Sequence, residues 1–281
     1  MDIQHIAAFS LDGRGGNPAG VVLLESSLPE GEMARIAAGV GYSETAFAVA
    51  AGDDGRSWRV RYFSPESEVP FCGHATIALG AALGARNGYG TYRLDLTTAS
   101  ITIEVAAGQT GMAITLVSPP TRSRAASRAE IAEALALFGL GEEDLDHRLP
   151  PARIHGGADH MMLALRDRAR LAAMRYDLDT GRETMRRHGF VTIMLVHAEA
   201  AQEFAARNAF ASGGVLEDPA TGAAAAAFAG YLRDRGWPHG GRITIRQGED
   251  MGMPSLIEAR LSDMAGSPVE VSGVTREIAA G

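Results

Sequence analysis

The chain has 281 residues, is 46% hydrophobic and 21% charged, and carries a formal net charge of −8, a composition that fits about two globular domains and argues against a general nucleic-acid binder, which needs a basic face. All 26 basic residues are arginine, so a pyridoxal-phosphate Schiff base and a P-loop, each of which needs a lysine, are excluded. The single cysteine, Cys72, permits no intramolecular disulfide, no apolar run approaches the ~20 residues of a membrane span, and the start MDIQHIAAFSLDGRGG lacks a basic-then-apolar leader, so a cytoplasmic protein with no membrane partner is expected.

In chain order, Ile3 to Phe9 and Val21 to Leu24 read as short strands. Ser27-Leu28-Pro29-Glu30 has the spacing of a capping box opening a helix that runs to about Val40, with Gly39 and Gly41 to end it. Thr45 to Ala50 and Trp58 to Phe63 read as strands around an AGDDG turn, Tyr92 to Leu96 and Ile101 to Val105 as a hairpin, and Met112 to Val117 as a further strand. Ser118-Pro119-Pro120 is the candidate linker. Beyond it, Ser127 to Glu130 offers a second capping box for an amphipathic helix with Ile131, Leu135 and Phe138 on one face, stopped by Gly139. Strands at His160 to Leu165, Val191 to Val196, Arg242 to Ile245 and Leu256 to Ala259 follow, with helices around Asp167 to Met174 and Thr180 to Arg187.

Two segments, Ala75 to Ala85 and Thr221 to Leu232, read as helices that are apolar nearly all round. A helix without a polar face is surrounded by protein. Each is flanked by strands, so the expected fold is α+β: two similar half-domains, each a barrel-like, mostly antiparallel sheet around one central buried helix. The expected boundaries are 1–117 and 121–265, with the segment 266–281 left open to return to the first half. Small residues such as Gly80, Gly84 and Ala224 would let a sheet come close.

Both helices start just after polar, glycine-containing turns, Phe71 to Thr76 and Glu217 to Ala223. A helix N-terminus presents unpaired N–H groups and a partial positive charge, so such ends can bind a carboxylate without lysine and stabilise charge that develops after proton loss. The plainer alternative is that Thr76, Thr221 or Asp218 merely caps a helix.

Five motifs, in order along the chain, resemble a known family: Gly16-Asn17-Pro18-Ala19-Gly20, Tyr42-Ser43-Glu44-Thr45-Ala46-Phe47, Phe63-Ser64-Pro65 followed by Glu68 to Thr76, Glu217 to Gly222, and Gln247-Gly248 with Met251-Gly252 and Pro254-Ser255. The family is that of the PhzF-like (phenazine-biosynthesis) isomerases, which share the diaminopimelate-epimerase-like fold. The resemblance implies an isomerase with no metal and no organic cofactor, acting on a small carboxylate-bearing substrate, as a homodimer, with its active site between the halves. It implies Glu44 as general acid/base with His74 and Asp218 assisting from opposite sides. Asn17, the first turns at Gly73 and Ala75, and Thr221, Gly222 and Ala223 are the implied substrate-binding positions. Glu68 and Glu217 read as structural. Relatives often carry serine where Ala223 stands and arginine where Met253 stands, which puts the phenazine-precursor substrate in doubt.

Two alternatives stay open at this point. Cys72-Gly73-His74-Ala75-Thr76 also resembles the CGHGT segment of proline racemases, and a thiolate at a helix N-terminus is acidified. A one-cysteine amino- or imino-acid racemase or epimerase using Cys72 is therefore the second reading. A non-catalytic small-molecule binder on the same fold is the third. No HExxH, paired-cysteine or GxSxG pattern is present, and His155 and His160, five apart, read as a chance loop pair.

Overall fold

The structure, a computed structural model, describes residues 2–108 and 110–279. The chain divides into two compact units, Met1–Val117 with Ser272–Gly281, and Ser118–Val271. The first contains β1 (Gln4–Ala8), β2 (Asn17–Leu24), α1 (Glu30–Val40), β3 (Thr45–Ala50), β4 (Ser57–Phe63), β5 (Glu68–Val69), α2 (Gly73–Asn87), β6 (Gly90–Asp95), β7 (Ser100–Ala107) and β8 (Met112–Val117). The second contains β9 (Arg122–Ala125), α3 (Arg128–Phe138), β10 (Ala152–His155), β11 (Asp159–Ala164), α4 (Arg168–Ala172), α5 (Leu178–His188), β12 (Thr192–Ala198), β13 (Glu203–Ala209), β14 (Glu217–Asp218), α6 (Gly222–Asp234), β15 (Arg242–Gln247) and β16 (Ser255–Arg260). β17 (Glu270–Val274) spans the boundary at Ser272, and β18 (Arg276–Glu277) pairs with β1. This is an α+β fold, and no helix of the described residues is long and apolar enough to cross a membrane.

The two units repeat one topology. From β1 through β2, β3, β4 and β6 to β7 the pairings run antiparallel, parallel, antiparallel, parallel, antiparallel. From β10 through β11, β12, β13 and β15 to β16 they run in the same order. In each unit a two-residue strand, β5 or β14, pairs with the end of the preceding strand and leads into the buried helix. The likeness extends to side chains. Arg61 on β4 pairs with Glu68 on β5 at 2.6 Å, and Arg207 on β13 pairs with Glu217 on β14 at 2.5 Å. Glu68 and Glu217 therefore tie the short strand to its partner, the structural role their position implied.

One face of each sheet is covered by helices and the other by the central helix. In the first unit α1 places Met33, Ile36 and Ala37 on Val22, Phe47 and Phe63. In the second, α3 and α5 cover Met161, Leu163, Ile193 and Leu195. On the opposite faces, α2 lies against β1, β2, β3, β7 and β8, and α6 against β9, β10, β11 and β16. Every residue from His74 to Gly84 of α2 is buried, which is why the segment shows no polar stripe.

Some boundaries differ from the sequence expectation. The Ser27–Glu30 capping box does not form: Pro29 is the N-cap, no side chain caps it, and Glu30 is the first helical residue. Pro29, with its fixed φ, sets the start in place of Ser27, two residues earlier. The Ser127–Glu130 box does form, with both reciprocal hydrogen bonds, and Gly139 closes that helix in the left-handed conformation. β10 and β13 are strands the periodicity did not show.

The packing of α2 depends on its glycines. A Cβ at Gly80 would sit 2.8 Å from both γ carbons of Ile114, and one at Gly84 would sit 2.7 Å from Met112 Sδ and Val105 Cγ1. Gly39, exposed near the end of α1, has nothing within 4 Å. Gly80→Val should therefore lower stability by about 1–3 kcal/mol through overpacking, whereas Gly39→Ala should raise it by about 0.5–1 kcal/mol. Urea denaturation of the two variants measures both; a Gly80→Val protein as stable as wild type would mean that α2 does not touch its sheet as described.

Candidate active site

The first cluster is built by the turn before β3 and the start of α2. The N–H of Gly20 on β2 donates to the Glu44 carbonyl (3.3 Å), which holds this turn against the sheet. The Glu44 side chain is only 13% exposed, and its Oε2 lies 3.3 Å from His74 Nε2. Oε2 is buried and accepts no hydrogen bond among the described residues. Ser43 Oγ also lies 3.3 Å from His74 Nε2, and Cys72 Sγ lies 3.4 Å from His74 Nδ1. His74 thus touches a carboxylate and a hydroxyl through one ring nitrogen and a thiol through the other. Its ring is sandwiched among groups that can take up or give protons. Glu44, Cys72 and His74 also each offer one ligand atom within 4.8 Å of the others, a donor set that suits a thiophilic divalent ion such as zinc.

The start of α2 is fixed from below. Tyr62 on β4 donates its hydroxyl to Thr76 Oγ1 (2.6 Å), and Thr76 Oγ1 donates to the Cys72 carbonyl (2.7 Å). Burial pushes the Tyr62 phenol well above its ordinary value, so it stays protonated and remains a donor. Thr76 therefore does not cap α2. The N-cap is Cys72, whose side chain makes no capping hydrogen bond to the helix. Gly73 and Ala75 lie in that turn, and a Cβ at Gly73 would meet nothing within 4 Å. Asn17, buried, opens β2 opposite Ala8.

The second cluster surrounds the start of α6. Thr221 is its N-cap residue, but its hydroxyl does not cap the helix; Thr221 Oγ1 donates to Asp218 Oδ2 at 2.5 Å. Gln247, buried at the end of β15, donates through Nε2 to the Asp218 carbonyl (2.6 Å) and to Thr221 Oγ1 (3.2 Å). Its Oε1 accepts from the Thr221 N–H (3.4 Å). Asp218 is therefore not an N-cap; it is held on β14 by its neighbours' donors. Gly222 and Ala223 form the first turn of α6. Both helix starts retain the N–H groups and dipole that attract an anion.

Comparison with known proteins decides the family. Residues 6–281 match the model of the phenazine biosynthesis-like family. The chain belongs to the phenazine biosynthesis-like family. It is 34% identical over 277 residues to an uncharacterized isomerase of Deinococcus radiodurans, covering 95% of this chain and 88% of that one. It is 32% identical over 276 residues to the trans-2,3-dihydro-3-hydroxyanthranilate isomerase of Pseudomonas aeruginosa, covering 95% and 94%. Among solved structures, the Bacillus anthracis PhzF-family phenazine biosynthesis protein superposes with a TM-score of 0.86 at 21% identity, covering 98% of this chain and 96% of that one. A hydroxyproline epimerase from Agrobacterium vitis shares the fold at a TM-score of 0.62 and 10% identity, covering 98% and 88%. This phenazine biosynthesis-like protein is an isomerase, as its curated relatives are named.

Several residues at these clusters carried no role in the sequence reading. Ser43 and Gln247 lie within the family motifs with no role implied for them, and Tyr62 reads as an ordinary strand aromatic. His155 and His160 are not a loop pair. They close β10 and follow the first residue of β11, two strands joined by a three-residue turn too short to show as a break in the apolar pattern. His155 Nδ1 contacts Asp159 (2.6 Å), while His160 is buried with Nδ1 2.7 Å from Thr192 Oγ1. Burial pulls the His160 imidazole down to about 4 from 6.5, so it is neutral at pH 7. A histidine depressed on folding costs stability only where the unfolded chain is protonated, that is, as pH falls from about 6.5 to about 4. The full difference is roughly 3 kcal/mol. His160→Gln should remove this component: unfolding free energies from pH 7 to pH 4 should fall less steeply for the variant than for wild type. Parallel curves would show that His160 is solvated in the native protein.

Proposed function

We propose that this isomerase moves a carbon-bound proton on a small carboxylate-bearing substrate without a metal or organic cofactor, with Glu44 as the base. The observation that carries the reading is the shielded Glu44 oxygen, which accepts no hydrogen bond among the described residues and lies beside a histidine. A shielded carboxylate oxygen beside an imidazole is placed to take a proton from carbon. Glu44 takes that proton, and the electron pair left behind moves into the adjacent unsaturated system. The protonated Glu44 returns the proton to a second carbon, or to the opposite face of the first, so that product and substrate have the same atoms. His74 exchanges protons with the substrate's heteroatoms, held in orientation by Ser43 and Cys72. Asp218 assists from its place on β14, and the first turn of α6 at Thr221, Gly222 and Ala223 binds the carboxylate, as does that of α2 at Gly73 and Ala75. Asn17 contacts the substrate.

The relative from Pseudomonas aeruginosa is named for trans-2,3-dihydro-3-hydroxyanthranilate, an unsaturated cyclic amino acid. A cyclic unsaturated acid of that class is the starting substrate for tests. Because Ala223 offers no side-chain hydroxyl, a different ring substituent pattern is expected for this chain.

A second reading is favoured by one contact. Cys72 Sγ at 3.4 Å from His74 Nδ1 is the geometry of a thiol that an imidazole can deprotonate, which would suit a one-cysteine racemase of an amino or imino acid. Incubation in heavy water separates the two. The probes are trans-2,3-dihydro-3-hydroxyanthranilate, L-proline and trans-4-hydroxy-L-proline, with deuterium incorporation read by mass spectrometry. Glu44→Gln is expected to lose deuterium incorporation by about 10²–10⁴-fold, and Cys72→Ser to stay within a few-fold of wild type. The reverse pattern replaces the first reading with the second.

A further inference from the structure

The inner face of the second unit carries a row of polar side chains at the end where α6 begins. In the sheet register His160 opposes Thr192, Met194 opposes Asn208, Asn208 opposes Asp218, and Ala206 opposes Gln247. Opposed residues, and alternate residues of one strand, point to the same face. His160, Thr192, Asn208, Asp218 and Gln247 therefore share a face. The other face is that of Met161, Leu163, Ile193, Leu195, Ala205 and Ala209, which α3 and α5 cover. The polar row thus belongs to the face that α6 covers. It lies at the α6 N-terminus, because Asp218 and Gln247 both bond to Thr221.

Most of this row is mutually satisfied. Thr192 takes His160 Nδ1, and Gln247 and Thr221 hold Asp218. Three atoms are left. His160 Nε2 and both amide atoms of Asn208 are buried and have no hydrogen-bond partner among the described residues. His160 is 1% exposed and Asn208 0%. Buried polar groups are nearly always paired, so three orphans in one row are hydrogen-bonding capacity that the fold itself leaves unused. The internal repeat sharpens the point. Asn208 opposes Asp218 as Tyr62 opposes Val69 in the first unit. There the side chain reaches its helix, with Tyr62 bonded to Thr76. At the matching place the second unit has a shorter side chain whose amide reaches no partner.

We infer that His160 and Asn208 form a specificity subsite, which hydrogen-bonds an uncharged polar substituent, a hydroxyl or a primary amide, of a substrate whose carboxylate lies at the first turn of α6. This rests on the reading above that the substrate is a small carboxylic acid. The asparagine amide supplies one donor and one acceptor, and the histidine supplies one more position. The unpaired atoms belong to a neutral amide and to an imidazole nitrogen, groups that match an uncharged hydroxyl or amide. A site built to hydrogen-bond a hydroxyl discriminates strongly against the analogue that lacks it.

The rival explanation is a set of buried waters bridging the same atoms in a purely structural network. Titration calorimetry with two stable aromatic acids, 3-hydroxyanthranilate and anthranilate, separates the cases. Wild type should bind the hydroxylated acid about tenfold or more tightly than the other. Asn208→Leu should bind the two within about twofold of each other while keeping the wild-type affinity for anthranilate, and Asn208→Ala repeats the comparison. Ligand-free Asn208→Leu should also melt about 2–4 °C higher than wild type, because an unpaired buried amide has been removed. A lower melting temperature, as loss of a water-bridged network demands, or undiminished discrimination by both variants, overturns the inference and leaves the carboxylate reading standing. Failure of wild type to bind either acid overturns the carboxylate reading, and the subsite with it.

Discussion

A helix enclosed by its own sheet must still present the N–H groups of its first turn to something, and this requirement shapes both units. Water cannot reach most of α2 or α6, whose residues are buried along nearly their whole length. Ordinary helices solve the problem with a serine, threonine or aspartate cap. Here the candidates for that task are all engaged elsewhere: Thr76 with the Cys72 carbonyl and Tyr62, and Thr221 with Asp218. The hydroxyls that would have closed the helix starts hold the loops around them instead, and the first turns keep their attraction for an anion. The rest of each site, from Glu44 and His74 in one unit to Gln247 in the other, is arranged around a helix end kept open in this way.

Both units use the same frame to aim that helix. The pairing order, the two-residue strand and the arginine–glutamate pair recur, so the chain that enters each helix is anchored at the same point. The pair that ties β14 down is largely buried, and breaking one partner of such a pair is costlier than replacing both. On that common frame the side chains diverge. The first unit places proton-exchanging groups, Glu44, Cys72 and His74, within a few ångström of one another. The second places carbonyl, amide and hydroxyl groups around Asp218. In the proposed reaction the first unit supplies the base, and the second supplies Asp218 and the polar groups that hold it.

Much of the fold could be read from the chain because its two least polar helices are so unusual. A segment such as Ala75 to Ala85 has no face for water, so it demanded a surrounding sheet, and the α+β arrangement followed. Elements without such a signature stayed hidden. β13, Glu203–Ala209, is packed by α3 and α5 residues on one face and carries Asn208 on the other, so neither face gives a polar alternation to count. Glu44 and His74 emerged only through resemblance to a family, since a lone glutamate or histidine has no sequence pattern of its own. Asp218 is visible but ambiguous, because capping and catalysis ask for the same residue type, and the cap is excluded by its place on β14, with Thr221 as the N-cap of α6. Tyr62 and Gln247 were unreadable for a different reason: their work is done across strands, by register, which the order of residues along one strand does not reveal.

The proposed carboxylate site at the start of α6 has limited means of further polar recognition. Ala223 puts a methyl group where the first turn of α6 could otherwise offer a hydroxyl, so beyond its backbone N–H groups the helix start supplies no side-chain donor there. Any further polar recognition at this end has to come from the sheet. The sheet does carry surplus capacity, and it is concentrated on two residues, His160 and Asn208, rather than spread along the row. A core selected only for stability would have replaced them with apolar residues of similar size, since unpaired buried groups are among the most destabilising features a native protein retains. Two buried residues with unpaired polar atoms, on the face beside a first turn that carries Ala223, are what the inferred subsite requires: stability exchanged for selectivity.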